Sequence, residues 1–121
     1  SINSLKIVEQ NTIDYSHKYE DRDAIRELYQ LKGVFDDILI VRNNLITDTS
    51  YCNILLFNGK QWITPEDPLL RGVQRQKLID NEVIVTANIF SESLSKFQKL
   101  RLINALMEFE DEIDISIDAI M

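Results

Sequence analysis

A lysine, a carboxylate and two short turns carry the residue types in this sequence that could bind and activate a small molecule. Lys18 follows one strand-like segment, and Asp48 follows another within residues 45–57. A lysine amine can bond to a carbonyl carbon, whereas a carboxylate can hold a proton on a ring nitrogen. The segments RGVQR and INAL could offer backbone N–H groups to a phosphate, because the N–H groups at helix starts have no partner within the helix.

Together these features are what pyridoxal 5′-phosphate (PLP) requires of a protein, since this cofactor has an aldehyde, a pyridine nitrogen and a phosphate. Each feature also has an ordinary explanation. Lys18 could be a solvated surface lysine, and Asp48 could be a turn former that hydrogen-bonds its own backbone. Gly72 could be a plain helix cap, and Asn104, within the apolar run LINALM, could be a structural amide with satisfied hydrogen bonds.

The strands that would position these residues can be assigned from their composition. The segment DDILIV is almost wholly apolar, which predicts a strand buried on both faces. Asn58-Gly59 predicts a two-residue hairpin turn between NILLF and KQWIT. Further segments typical of strands are SLKIVEQ, LIT, EVIVTANI and IDISID, whereas KLRLINALMEF fits either a strand or a helix.

Two segments predict helices. GVQRQKLIDN predicts a short helix that begins just after Gly72. RDAIRELYQLKG predicts a longer helix that has Asp21 or Asp23 as its N-cap and ends at Gly33, with one apolar face formed by Ala24, Ile25, Leu28, Tyr29 and Leu31. The order of elements predicts an α/β domain of the mixed α+β kind, with short helices on a central sheet.

The bulk properties exclude several classes of protein. With 121 residues, the chain forms one domain, and its net charge of −7 argues against a nucleic-acid surface. The longest apolar runs have four residues, which predicts that no segment inserts into a membrane. A single cysteine and a single histidine form neither an internal disulfide nor a zinc site, and this cysteine usage favours a reducing compartment such as the cytoplasm.

Residues 46–75 resemble the signature of the class IV aminotransferase family, the fold-type IV enzymes that use PLP. That signature runs from an acidic residue through a small residue, an asparagine and an apolar pair to a strand ending in Thr-Pro and then Leu-x-Gly-apolar-x-Arg. The matching residues here are Asp48, Ser50, Asn53, Ile54-Leu55, Thr64-Pro65 and residues 70–75.

Two further segments resemble one branch of that family, the 4-amino-4-deoxychorismate lyases. INALMEF is similar to the branch's phosphate loop, C-N-A-L-M-P. HKYEDR is similar to the stretch around the branch's cofactor-bound lysine, with Lys18 and Arg22 at matching positions.

The resemblance implies a D-amino-acid-aminotransferase-like domain, a mixed sheet or pseudo-barrel flanked by short helices. It implies that Lys18 is the catalytic residue that bonds to PLP. Asp48 stands where the family usually has glutamate, and Gln74 stands where other members have a threonine that donates to the phosphate. No metal is implied, and the cofactor-binding residues that the resemblance implies are Lys18, Arg22, Asp48, Asn53, Gly72, Val73, Gln74, Asn104 and Ala105.

The function implied by the resemblance is that of a PLP-dependent lyase. Such an enzyme converts 4-amino-4-deoxychorismate to p-aminobenzoate and pyruvate in folate synthesis. The alternatives are a class IV aminotransferase acting on branched-chain or D-amino acids, and a domain that binds the cofactor weakly or not at all. The resemblance also implies a homodimer, and it covers only the C-terminal, larger domain of family members, so we expect residues 1–121 to be that PLP-binding domain without its N-terminal partner domain.

Overall fold

The computed structural model describes residues 2–12 and 18–121, and within the helix Lys18–Tyr29 it describes the side chains from Arg22 onward. The first catalytic candidate, Lys18, is the first residue of this helix, and its side chain lies outside the described part. Over the described residues there are two α-helices, α1 (Lys18–Tyr29) and α2 (Val73–Asp80), and eight strands: β1 (Leu5–Glu9), β2 (Asp37–Arg42), β3 (Leu45–Ile46), β4 (Asn53–Phe57), β5 (Trp62–Pro65), β6 (Ile84–Ala87), β7 (Lys99–Ile103) and β8 (Asp114–Ser116).

The strands form two mixed sheets rather than the single central sheet expected from the sequence. In the first, β1 pairs parallel to β2, and β2 pairs antiparallel to β3. The second has the order β6-β5-β4-β7-β8, in which β5 and β6 are parallel and the other neighbours are antiparallel. Parallel neighbours need crossover connections, and α1 and α2 lie on those connections.

Single bridges join the edges of the two sheets into a closed ring. Leu45 bridges Phe90 just beyond β6, and the Ile46 N–H donates to the Ile89 carbonyl at 2.8 Å. On the other side Leu5 bridges Ile120, just beyond β8. The two sheets therefore form the pseudo-barrel that the resemblance implies.

Alternating side chains along the strands divide the core. On β2, Leu39 and Val41 point into the ring, while Ile38 and Ile40 pack against Ile25 and Leu28 of α1 on the outer face. Both faces of β2 are thus covered, which explains why its sequence is apolar without alternation. On the other side of the ring Leu55 and Ile103 face outward and pack near α2, whereas the ring interior is filled by Leu5, Ile46, Ile54, Leu56, Leu100, Leu102 and Ile115.

Three local expectations are corrected by the structure. Helix α1 begins at Lys18, so Asp21 and Asp23 lie inside its first two turns and do not cap it. Leu31 is 58% exposed, because the chain leaves α1 through a 3₁₀ turn before it ends at Gly33, which has a φ of 59°. The hairpin turn is centred on Gly59-Lys60, one residue later than expected, since Phe57 pairs with Trp62 and the Asn58 N–H donates to the Gln61 carbonyl.

The ambiguous segment KLRLINALMEF divides into strand β7 and a following loop. Arg101 on β7 is buried and forms two hydrogen bonds with the Asp114 carboxylate, at 2.6 and 3.1 Å. Its guanidinium lies between the rings of Trp62 and Phe109, and it donates to the Phe109 carbonyl at 3.0 Å. These contacts fix the far end of the loop that carries Asn104.

Candidate functional site

The chain between β3 and β4 makes a tight turn that places Asp48 inside the protein. The Ile40 N–H donates to the Asp48 carbonyl at 2.8 Å, which attaches the start of the turn to β2. Thr49 closes it, because its N–H donates to the Cys52 carbonyl and its hydroxyl accepts the Cys52 N–H at 3.0 Å. The polar residues between the two apolar strands therefore direct the carboxylate inward.

Asp48 is fully buried and only partly hydrogen-bonded. Its Oδ2 accepts the Leu70 N–H at 2.7 Å, whereas Oδ1 has no hydrogen-bond partner among the described residues. Burial raises the pKa of this carboxyl from 3.8 to about 7, although the Leu70 hydrogen bond and the nearby charge of Arg75 act in the opposite direction. Burying a carboxylate oxygen without a hydrogen-bond partner costs free energy, so this atom is suited to a ligand group that donates a hydrogen bond.

Asn53 and Asp48 hold the same residue of the loop before α2 through its two backbone groups. The Asn53 Nδ2 donates to the Leu70 carbonyl at 2.6 Å, while the Leu70 N–H donates to Asp48. The Arg75 guanidinium fixes the other side of this loop, donating to the Pro65 carbonyl at 3.0 Å. The loop therefore enters α2 in a defined conformation.

Gly72 is the residue just before α2, and its lack of a side chain allows Asn53 to approach. A Cβ atom at this position would overlap Asn53 Oδ1. Gly72 has a φ of −68° and a ψ of 150°, so the requirement for glycine comes from the close contact and not from its backbone angles. No side chain caps the helix here, which leaves the first N–H groups of α2 available to a ligand.

We expect the Gly72→Ala variant to lose about 1–3 kcal/mol of unfolding free energy, because the added methyl group must displace the buried Asn53 amide. Urea denaturation measures this loss. Val73→Ala is the matched control, since Val73 is the next residue and its side chain is 75% exposed. In the double variant Asn53→Ala, Gly72→Ala, the loss of unfolding free energy should be smaller than the sum of the losses in the two single variants. Equal stability of Gly72→Ala and the parent chain would contradict the close contact.

A second turn, after β7, lies beside the start of α2. The Asn104 N–H donates to the Met107 carbonyl at 3.0 Å and the Met107 N–H donates to the Asn104 carbonyl at 3.2 Å. The Asn104 Oδ1 also accepts the N–H groups of Leu106 and Met107, at 2.8 and 2.9 Å. The side chain of Asn104 thus has the structural role that was the ordinary explanation of this residue, and it shapes a turn at the site.

The start of α2 and the turn formed by residues 104–107 line one cleft of about 780 Å³. Asp48 does not line the cleft, although its carboxylate accepts the N–H of the lining residue Leu70. Tyr51, Leu106 and Phe109 line it although the sequence did not single them out. Seven of the nine residues implied by the resemblance line the cleft: Arg22, Asn53, Gly72, Val73, Gln74, Asn104 and Ala105.

A neighbouring cavity of about 450 Å³ lies against α1 and shares Arg22, Tyr51 and Leu70 with the cleft. Arg26 lines it one helical turn after Arg22. The i, i+4 spacing of these two arginines was visible in the sequence, but nothing in the sequence indicated that this face of α1 would border a cavity. The wall of this cavity therefore combines apolar side chains and the polar residues Gln30 and Ser50 with two arginines. The Arg26 guanidinium also forms an exposed ion pair with Asp23 at 3.5 Å.

Over the described residues, no three or more His, Cys, Asp or Glu side chains come close enough to hold a metal ion. None of the helices in the described part is both long and apolar enough to cross a bilayer. Besides backbone N–H groups, the cleft is lined by the arginine Arg22, the lysine Lys77, residues with side-chain amides such as Asn53 and Gln74, and the acidic residues Glu108 and Glu110.

Comparison with known proteins gives three informative matches. An uncharacterized protein of Haemophilus influenzae is 42% identical over 94 residues, which are 78% of this chain and 50% of that protein. The crystal structure of a provisionally named 4-amino-4-deoxychorismate lyase from Haemophilus somnus 129pt is 38% identical with a TM-score of 0.83, over 90% of this chain and 56% of that one.

The third match is the branched-chain amino acid aminotransferase of Escherichia coli. It has a TM-score of 0.77 at 13% identity, over 98% of this chain and 44% of that one, so it shows likeness of fold alone. The chain spans about half the length of the relatives it matches. The family model for class IV amino-transferases matches residues 16–109. The chain therefore belongs to the class IV amino-transferases, a family of PLP-dependent enzymes, and it has their mixed α/β fold.

Proposed function

We propose that this chain forms the PLP-binding part of a lyase that converts 4-amino-4-deoxychorismate to p-aminobenzoate and pyruvate. The observation that carries the proposal is the pair of arginines, Arg22 and Arg26, on the wall of the cavity next to the cleft. The substrate carries two carboxylates, and guanidinium groups are well suited to bind them. Likeness to the provisionally named lyase of Haemophilus somnus supports the same branch.

The residues of the cleft, together with the buried Asp48 that binds the backbone of the lining residue Leu70, fit PLP as the resident cofactor. Asp48 Oδ1 is a buried acceptor without a partner among the described residues, which suits the N–H of a pyridine ring. The first turn of α2 begins without a side-chain cap at Gly72, which suits a phosphate dianion because the helix N-terminus is positive. Asn104 and Ala105 bring the second turn to the same cleft.

When bound, PLP would withdraw electrons from the carbon that bears the substrate's amino group. Asp48 Oδ1 would accept a hydrogen bond from the ring nitrogen of the bound cofactor. A positive charge at that nitrogen would lower the pKa of Asp48 below the value of about 7 that burial produces, which would keep the carboxylate ionised. Asp48 would thereby hold the proton on the ring nitrogen.

Lys18 would hold the cofactor and then move one proton. As a neutral amine its Nζ atom would act as the base that takes the proton from ring carbon C4 of the substrate. A lysine amine acts as a base only when it is neutral, and a nearby positive charge favours that form. Lys18 precedes Arg22 by four residues in α1, and positions with this spacing share a helix face.

The experiment uses the natural gene product that contains this chain, supplied with PLP. With 4-amino-4-deoxychorismate we expect p-aminobenzoate and pyruvate in equal amounts. The Arg26→Gln variant should have a KM about 10-fold higher with little change in kcat, because it loses one guanidinium contact to a carboxylate made before and during the reaction. Lys32→Gln removes the same charge at a position outside both cavities and serves as the control.

Formation of a keto acid from branched-chain or D-amino acids, without p-aminobenzoate from the lyase substrate, would replace the lyase by an aminotransferase. Equal KM values for Arg26→Gln and Lys32→Gln would show that the pair Arg22 and Arg26 does not bind the carboxylates of the substrate.

A further inference from the structure

The side chain of Gln74 connects the start of α2 to the second turn, which residues 104–107 form. Gln74 lies in the first turn of α2. Its Nε2 donates one hydrogen bond to the Asn104 carbonyl and another to the Met107 carbonyl, the latter at 3.2 Å. The side chain is therefore directed across the cleft floor to the second turn.

The two acceptors of Gln74 are the carbonyls that close the second turn. The Asn104 carbonyl also accepts the Met107 N–H, and the Met107 carbonyl accepts the Asn104 N–H. Binding both with one amide fixes the orientation of this turn and its distance from α2. The two N–H donors and the length of the glutamine side chain satisfy both carbonyls from this position.

The second turn is also anchored to the signature segment. The Asn104 Nδ2 donates to Cys52 Sγ at 3.4 Å, and the Cys52 thiol is 3.7 Å from Met107 Sδ. Cys52 belongs to the tight turn that buries Asp48. The start of α2, the second turn and the Asp48 turn are thus connected by side-chain contacts in the interior.

We infer that Gln74 is a positioning residue. It sets the spacing between the start of α2 and the turn of residues 104–107, and thereby the affinity of the cleft for a phosphate group. It acts through the Asn104–Met107 turn, and its side-chain donors are already bound to carbonyls. This inference rests on the proposed role of the cleft as the phosphate site of PLP.

The experiment compares two ligands that differ only in the phosphate, PLP and pyridoxal, and adds inorganic phosphate as a third. We expect Gln74→Met, which keeps the length of the side chain but has no N–H donors, to weaken PLP and phosphate binding about 10-fold and to leave pyridoxal binding unchanged. Gln74→Glu should weaken PLP further, because a carboxylate would face two carbonyl oxygens and the phosphate. The Gln76→Met variant is the control, since Gln76 lies on the same helix and binds the exposed Asp80 carboxylate.

Hydrogen exchange gives a readout that needs no cofactor. In Gln74→Met the amides of residues 104–107 should exchange faster than in the parent chain, while those of β7 should not change. Unchanged exchange together with unchanged PLP affinity would overturn the inference about Gln74 and leave the proposed function standing. A different outcome is faster exchange of residues 104–107 in Gln74→Met while the parent protein binds PLP and pyridoxal equally well. That result would overturn the phosphate site, and with it both proposals. An equal loss of pyridoxal and PLP affinity would show a general loss of folding and would also overturn the inference.

Discussion

At pH 8 the cofactor-free Asp48→Asn variant should be more stable than the parent chain, by up to about 4 kcal/mol of unfolding free energy. Asp48 is fully buried, and burial raises its pKa from 3.8 to about 7. At pH 8 the parent chain must therefore bury a charged carboxylate whose Oδ1 has no hydrogen-bond partner in the described part of the protein. An asparagine carries no charge, and its oxygen can still accept the Leu70 N–H.

The pH dependence of stability gives the sign of this effect. The folded state holds the Asp48 proton more tightly than the unfolded state does. The stabilising contribution of this proton to the unfolding free energy is therefore fully present below about pH 4 and is lost as the pH rises to about 7. Urea denaturation across this range should show the parent chain losing stability relative to Asp48→Asn. Asp37 is also buried with a raised pKa, so the difference between the two proteins isolates Asp48 from it.

The same substitution should weaken PLP binding about 10-fold or more, since a charged hydrogen bond to the ring nitrogen is lost. A variant that gains stability and loses its ligand is the expected pattern at a site where an unfavourable buried group is retained for binding. Asp118→Asn is the control, because it removes a carboxylate from the surface. Equal stability of Asp48→Asn and the parent at pH 8 would show that Asp48 is not a strained buried acid, and unchanged PLP affinity would remove it from the cofactor site.

The sequence predicted the strands well because most of them have clear local signals. The apolar segment DDILIV is covered by the ring interior on one face and α1 on the other, as its lack of alternation indicated. The hairpin was located by Asn58-Gly59, but its register is set by the pairing of Phe57 with Trp62, which places the turn one residue later. The division into two sheets depends on single bridges between distant residues, such as Leu5 and Ile120, for which no local pattern exists.

The site was predictable to the extent that it depends on short motifs. The motifs located Asn53, Gly72 and Asn104, which the fold brings to one cleft from three separate segments. They did not indicate that Asp48 would be fully buried and would not line the cleft, or that Gln74 would reach the carbonyls of the second turn, because both depend on side-chain packing across the fold. The ordinary explanations of Asn104 and Gly72 also hold in part, since Asn104 shapes its turn and Gly72 precedes a helix.

The second large effect concerns Lys18, whose proposed role rests on its resemblance to the family motif and on its position in α1, four residues before the cleft residue Arg22. In the Lys18→Ala variant we expect no covalent attachment of PLP and a loss of lyase turnover of about 10²-fold or more, because both the attachment point and the base are removed. Borohydride reduction followed by peptide mass analysis tests the attachment directly. In the parent protein the added mass should lie on the peptide that contains Lys18, and in the variant it should be absent.

Lys32→Ala is the matched control, because Lys32 lies in the 3₁₀ turn after the same helix and outside both cavities. It should retain the PLP adduct and the parent turnover. Addition of a small amine should restore part of the proton transfer in Lys18→Ala but not in Asp48→Asn, since only the former lacks a base. PLP attached to another lysine in the parent protein would contradict the assignment of Lys18, and the cleft beside Arg22 would then bind the cofactor in a different orientation.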